Sequence, residues 1–329
     1  MKRIIFALCV IMLAFCKMAA VSAEAPLKEF KREVTKEFSV GANPNLNIDN
    51  KFGQIRIIEG ADNKISFNIE IIGKGITEAL AKEYAEAVSI DFSQSGDNVS
   101  ATTMHKNMQC NNCGRETNYT VIAPKGVMMK LVNKFGNITL DKSIKPLNVD
   151  LEYGNLVANT LTDVTINVKF GQVTINACEN INFESAYTKI KIGKANQIKA
   201  KSEFDDFQLG TVADVVMKTQ YTPVKIDQLN KSFICDNFKF CSLDIANISP
   251  QFSQIKIDAG YSQIKLALDN RHSFKADLRT RYGNINSGNF AFNIKSDRNT
   301  QTCSGTFGSA SNPLAIVDIS TEFGDIVFK

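Results

Sequence analysis

The chain of 329 residues contains no tryptophan and only two histidines, His105 and His272. Neither histidine sits in a nucleophile or metal motif. There is no HExxH and no phosphate-cradling glycine loop, so the sequence offers no catalytic, cofactor-binding or metal-ligating set of a familiar kind. It also lacks a strong charge of either sign, with 38 Lys and Arg against 34 Asp and Glu. After residue 23 no hydrophobic run is long enough to cross a bilayer as a helix. Clustered carboxylates are missing as well. The best acidic pair, Asp205-Asp206, falls where neighbouring strand residues face opposite ways, so it reads as a corner rather than a ligand pair. Cleavage of a polysaccharide, which needs convergent carboxylates and a basic residue, is therefore a remote alternative.

What is present begins with a targeting segment at 1–23. Lys2 and Arg3 open it, an apolar run covers 4–15, and Val21-Ser22-Ala23 offers a small-x-small cleavage site between Ala23 and Glu24. The sequence thus predicts export to the periplasm or the cell surface. Leu13-Ala-Phe-Cys16 gives a lipoprotein alternative, which Phe15 disfavours. The segment carries Lys2, Arg3 and Lys17 and no acid; without those three of the 38 bases, 35 face 34 acids. A balance of +1 makes no electrostatic case for nucleic acid or an anionic membrane.

The dominant pattern is a repeat. Tyr153, Phe170, Tyr187, Phe204, Tyr221 and Phe238 recur every 17 residues, each opening an aromatic–small–polar–apolar–x–apolar unit such as Phe170-Gly-Gln-Val-Thr-Ile175. Alternating stretches precede them, as at Leu147, Val149 and Leu151 before Tyr153. A further apolar column runs through Ile144, Leu161, Cys178, Ala195, Val212 and Leu229. Each unit reads as strand, tight corner, strand and turn, with every apolar column pointing inward. The corner position after the aromatic holds Gly in some copies and Thr188, Asp205, Thr222 or Ser262 in others, as where φ is positive or space is short. Seventeen residues span roughly 56 Å, one coil of a stack spaced about 4.8 Å apart. The predicted fold is all-β: a single-chain parallel β-solenoid, or β-helix, over 127–329, right-handed by the usual crossover preference. A polar loop is expected near 296–313.

The front, 24–126, reads as a strand-rich α+β cap. Strands are expected at 31–40, 64–72 and 118–123 and a hairpin at 88–95 and 98–104. One helix is expected at 77–88, with Ile76, Leu80, Tyr84 and Val88 near one face. Lys51-Phe-Gly-Gln-Ile55 is an isolated copy of the repeat unit. Such a cap would cover an open end with unpaired backbone.

Cys110-Asn-Asn-Cys113 lies between strand segments. It reads as a local disulfide in an oxidising compartment. Zinc would need a fourth ligand beside His105, Cys110 and Cys113, and redox use would need a helix N-terminus. Asn137, Asn155 and Gln172 form a candidate surface ladder for a repeating polymer, though the simpler reading is a ladder of stack-stabilising amides. The residues before the aromatics alternate in charge over the first three units, Lys134, Glu152 and Lys169, and read as a register-setting ladder.

Asn50-Lys-Phe-Gly-Gln-Ile-Arg-Ile57, Tyr119-Thr-Val-Ile-Ala-Pro-Lys-Gly126 and Ser320-Thr-Glu-Phe-Gly-Asp-Ile326 give the whole mature chain a resemblance to exported, adhesin-like β-strand-repeat proteins of bacteria. That resemblance implies a β-solenoid in the cell envelope with no known activity; export, the repeats and the missing catalytic set lead to the expectation of no cofactor and of an unknown envelope polymer or protein as partner. It implies as an alternative an accessory of an envelope-stress membrane regulator. The corner substitutions and the Cys110/Cys113 pair depart from the pattern.

Overall fold

The computed structural model describes residues 26–60, 63–110 and 112–329. The expected targeting segment, its Ala23–Glu24 boundary and Cys16 lie outside these residues. The described chain is all-β, with one large sheet of 22 strands that mixes parallel and antiparallel pairing and a single short helix.

Across the repeats, chain separation becomes spatial adjacency. Leu147–Glu152 pairs in parallel with the start of the next unit, Leu147 beside Val164 and Glu152 beside Lys169. Asp206–Gln220 continues at the same offset, with Ile190 beside Phe207. The segment Asn155–Glu203 is continuous strand for 49 residues. It cannot be straight, because Asn176 Nδ2 donates to Asn159 Oδ1 at 3.0 Å and Lys201 Nζ reaches Glu184 Oε1 at 3.3 Å. Inward residues alternate along every run, and Val164, Ile166, Val168, Val173 and Ile175 are all buried. Each such side chain contributes roughly 1.5–3 kcal/mol by leaving water.

Three expectations need correction. The aromatic column does not point inward: Tyr153, Phe170, Tyr187, Phe204 and Tyr221 are 43–53% exposed. Phe238 does not belong to that column. Two bulges shift the pairing from Val212 beside Leu229 to Gln220 beside Lys239, so Phe240 follows Tyr221 and Phe238 is fully buried beside Thr219. Ile144 is exposed, and Ser143 takes its place beside Leu161, because one extra residue separates these units.

The front is stitched into the same ladders. Lys28–Ser39, Lys64–Gly75 and Gly114–Pro124 pair antiparallel in succession, and Val88–Ser95 forms a hairpin with Asn98–His105. The Phe52 unit is not isolated. Its flanking strands Asn45–Lys51 and Ile55–Gly60 pair in parallel with Met128–Lys134 and Ile138–Ser143. The helix spans Glu78–Glu86, and Thr77 Oγ1 caps it by accepting from Leu80 N at 3.2 Å. Ala81, Tyr84 and Ala85 are its buried residues. Ile76 lies before the cap and is exposed. Gly73 lets the helix approach the sheet, since a Cβ there would lie 2.0 Å from the Ala81 carbonyl oxygen.

At the other end, spatial order departs from chain order. Ala315–Glu322 lies between Gln254–Gly260 and Phe274–Arg281, parallel to both. Ile326–Phe328 likewise lies between Gln263–Leu266 and Ile285–Asn286. The expected polar loop contains strands Lys295–Asp297 and Thr300–Phe307, the latter antiparallel to Phe274–Arg281.

Candidate binding surface beside the stacked corners

Each corner turns on its aromatic. Phe52, Phe135, Tyr153, Phe170, Tyr187, Phe204, Tyr221, Phe240, Tyr261, Tyr282 and Phe323 all have φ between 52° and 62°. This left-handed backbone costs about 1–2 kcal/mol per residue with a Cβ. It also breaks the two-residue alternation, which throws the ring outward. Rings of successive units then stack: from Phe135 to Tyr261 the centroids are 4.7–5.0 Å apart with 2–9° between planes. Phe323 sits between Tyr261 and Tyr282, 4.7 Å from each.

Stacking hides the ring faces and leaves edges to solvent. The two end faces are covered too. Lys51 Nζ lies 4.9 Å from the Phe52 centroid with His105 edge-on at 5.7 Å, and the Arg281 guanidinium lies 5.0 Å from the Tyr282 centroid. A sugar needs an open ring face to stack on, so this column works as a spine, each neighbouring pair adding about 0.5–1.5 kcal/mol.

Under the rings, the position after each aromatic is short of space. A Cβ on Gly136 would lie 1.7 Å from the Gly53 carbonyl oxygen, and one on Gly171 2.0 Å from that of Gly154. Positive φ lies at the aromatic rather than at this residue, except that Gly53 also has φ of 149°. Where side chains replace glycine they form a buried polar series. Asp205 accepts from Ser185 Oγ at 2.6 Å and Thr188 N at 2.7 Å, and its own N–H donates to Thr222 Oγ1 at 3.2 Å. Thr222 N donates to Cys241 Sγ and Cys241 N to Ser262 Oγ. Burial pushes the Asp205 carboxyl up to about 6 against the opposing effect of the Ser185 and Thr188 hydrogen bonds.

Beyond the corner the sheet presents a flat face with a shallow groove of about 700 Å³. Its residues include Arg56, Thr139, Val157, Thr174 and Lys191, which stand in register across successive strands, and a second row of Asp141, Asn159, Asn176 and Gly193. Asn176 Nδ2 donates to Asn159 Oδ1 at 3.0 Å, and Asn159 Nδ2 donates to Asp141 Oδ1 at 3.1 Å. Gly193 continues the row without a side chain, and a Cβ there would lie 2.5 Å from the Asn176 carbonyl oxygen. The opposite side of the corner carries paired charges: Lys134 with Glu152 and Lys201 with Glu184, both at 3.3 Å, while Asn167 donates to Asp150 at 2.6 Å.

Of the sequence-predicted ladder, Asn137 Oδ1 accepts from the Asn155 backbone N–H at 2.9 Å. Gln172 does not continue it: its N–H donates to Gly154 O at 3.3 Å, and its side chain donates to Thr174 Oγ1 at 3.2 Å. Asn137 thus braces a corner amide, and the three stand two residues before the groove-lining Thr139, Val157 and Thr174. The row Asp141, Asn159 and Asn176 lies four residues further along and keeps the same spacing, but in sequence it reads as ordinary outward strand positions. Cys110 and Cys113 are bonded, with Cα atoms 5.7 Å apart. His272 pins a turn, with Nε2 3.0 Å from the Ile248 carbonyl oxygen. Burial, and then the charge of Arg115, lower the pKa of His105. Asp205 is buried at its corner and its neighbour Asp206 faces Gln208. Among the described residues no cluster of three or more His, Cys, Asp or Glu is arranged to hold a metal ion, and no helix is long and apolar enough to cross a membrane.

No protein-family model and no curated protein matches the chain. Solved structures similar to it include a protein provisionally named an adhesin from Parabacteroides merdae, 12% identical over 91% of this chain and 97% of its own, TM-score 0.39. Another, provisionally named a cell adhesion protein, comes from Clostridium sporogenes, 10% identical over 91% and 99%, TM-score 0.23. A third, provisionally named a lipid-binding protein, comes from Parabacteroides distasonis, 7% identical over 70% and 93%, TM-score 0.37. The adhesin names agree with the resemblance drawn from the sequence. At these identities and TM-scores the likenesses carry no argument about activity.

Proposed function

We propose that this chain is a non-enzymatic, exported adhesin-like protein that holds an extended envelope polymer along its grooved face. In this reading residues 127–329 form a parallel β-solenoid, and 24–126 close one end of it. The observation that carries the reading is the hydrogen-bonded row Asp141, Asn159 and Asn176 beside Thr139 and Thr174. Its polar groups repeat at the strand spacing of about 4.8 Å, comparable to the length of a sugar ring in an extended glycan. Arg56 and Lys191 stand at opposite ends of the groove and suit an acidic substituent on such a chain. The polar groups are held by the ladder itself, so binding costs little ordering entropy.

The test is retention of the mature chain on purified cell-envelope glycan, compared with a triple variant Asn159→Ala, Thr174→Ala and Asn176→Ala. Loss of retention with an unchanged circular dichroism spectrum is the expected outcome. Equal retention of both proteins would remove the groove from the reading. Crosslinking in the cell envelope that recovers a membrane regulator instead of glycan would favour a signalling partner.

A further inference from the structure

The segment 315–329 comes last in the sequence, yet it fills an interior place in the stack. On one side Tyr261 N donates to Glu322 O at 2.7 Å and Ile264 N to Asp325 O at 2.9 Å. On the other, Phe323 N donates to Arg281 O at 2.8 Å and Ile326 N to Asn284 O at 2.9 Å. We propose that this segment is an exchangeable strand, and that the slot it fills accepts the same segment from a second copy of the chain, linking copies through the connection at 308–314.

Both walls of the slot are held independently of the segment. Gln254–Gly260 is tied to Pro223–Lys239, and Gln263–Leu266 to Ser242–Ile245. The far wall, Phe274–Arg281, has Thr300–Phe307 on its other side. The turn between the walls is fixed to the body, because Ala267 N donates to Ile245 O at 3.1 Å and His272 Nε2 bonds the Ile248 carbonyl oxygen. Withdrawal of the segment would therefore leave two parallel strand edges facing each other, a template for a strand of matching pattern.

The slot selects its occupant closely. Val317, Ile319, Ile326 and Phe328 are buried in it, and Phe323 must stack between Tyr261 and Tyr282. The residue after that aromatic is glycine, and a Cβ on Gly324 would lie 2.0 Å from the Ser262 carbonyl oxygen, so a side chain there would force the neighbouring corner to shift. The same segment from another copy meets every condition and restores every contact, so exchange carries little enthalpic cost. The connection suits exchange: Ser309, Ala310, Ser311 and Asn312 are exposed, and Leu314 is 91% exposed.

Asp258 and Ser320 are paired in register across the slot boundary, and both are exposed. The experiment uses the mature full-length chain carrying Asp258→Cys and Ser320→Cys, made once with ordinary and once with heavy nitrogen. The two preparations are mixed, incubated at high concentration, oxidised and digested, and the 258–320 disulfide peptides are weighed. Peptides joining one light and one heavy half are expected, approaching half of all pairs on long incubation. Only light–light and heavy–heavy pairs would overturn the proposal. A second variant shortens the connection by deleting residues 309–312, which hinders closure within one chain. It should shift from monomer to dimer or larger in light scattering with its strand content retained, and a folded monomer would count against exchange.

Discussion

Phe204 and Tyr221 stack with centroids 4.7 Å apart and 3° between planes, although each holds a φ above 50°. The strained backbone and the stack are one device: the left-handed turn puts the ring outside, and the ring's two neighbours repay the turn. Phe204→Ala keeps the strain and loses both stacking contacts, so it should cost about 3 kcal/mol. Phe204→Gly loses the same contacts but adopts the turn freely, and should recover about 1 kcal/mol of that. Urea denaturation of the two variants checks the order. Glycine no more stable than alanine would mean that the turn is not strained.

Asp205 gives the stack a pH dependence of unusual sign. Burial raises its folded pKa to about 6, above the ordinary carboxylate value near 3.9. The unfolded chain therefore ionises first. Stability from this group is complete below about pH 4, falls between about pH 4 and 6, and stays low above, a loss of about 2–3 kcal/mol. Asp205→Asn can still accept from Thr188 N and can donate to Ser185 Oγ. The stability difference between the variant and the parent should grow across that window in favour of Asn. Denaturation curves that run parallel from pH 4 to 7 would rule this out.

The repeat was legible because stacked units turn a chain offset of 17 into spatial neighbourhood, so columns can be read straight off the sequence. What alternation cannot carry is a residue that leaves the strand conformation. The outward turn of Phe170 or Tyr187 was hidden for that reason. Phe240-Cys-Ser-Leu243 reads as a unit from its own pattern, but the strict 17-residue count ends on Phe238, because nothing local marks the two bulges that place Phe240 after Tyr221. The pairing of Asn45 with Met128 and the insertion of Ala315–Glu322 are long-range choices with no local signature. At the groove, Asn137 and Asn155 were found by their place after the corner. Asn159 and Asn176 carry the same spacing but sit among residues that read as ordinary outward strand positions.

Among the described residues, Cys178, Cys235, Cys241 and Cys303 are free and buried. Burial pushes the Cys178 and Cys235 thiols up to about 12 and Cys241 to about 11. A thiol reagent at neutral pH should therefore react only when the chain opens locally. Cys303 should react first. Its strand Thr300–Phe307 has Phe274–Arg281 on one side and only the short Lys295–Asp297 on the other. Labelling followed by mass spectrometry resolves the order. Cys235, fully buried within the Pro223–Lys239 strand, should be slowest, and its early labelling would contradict the ladder described above.

Gly73 sets how closely the helix can lie on the sheet. A methyl group there would stand 2.0 Å from Ala81 O and 2.5 Å from Ala85 N, so Gly73→Ala must push the helix away. The move also strains the Arg32 side chain, whose Nε donates to Ala85 O at 3.1 Å and whose guanidinium also bonds Val88 O. Overpacking of this kind costs about 1–3 kcal/mol, and the lost charged hydrogen bonds add to it. Gly126→Ala is the control, since nothing lies within 4 Å of its added methyl and its φ is ordinary; its effect should stay within about 0.5 kcal/mol. Hydrogen exchange separates a local effect from a global one. In Gly73→Ala the amides of Glu78–Glu86 should lose protection, while those of Asp206–Gln220 keep theirs, because the helix packs on the front strands and the distant ladder holds itself. Equal loss in both places would mean that the helix is needed to hold the stack together.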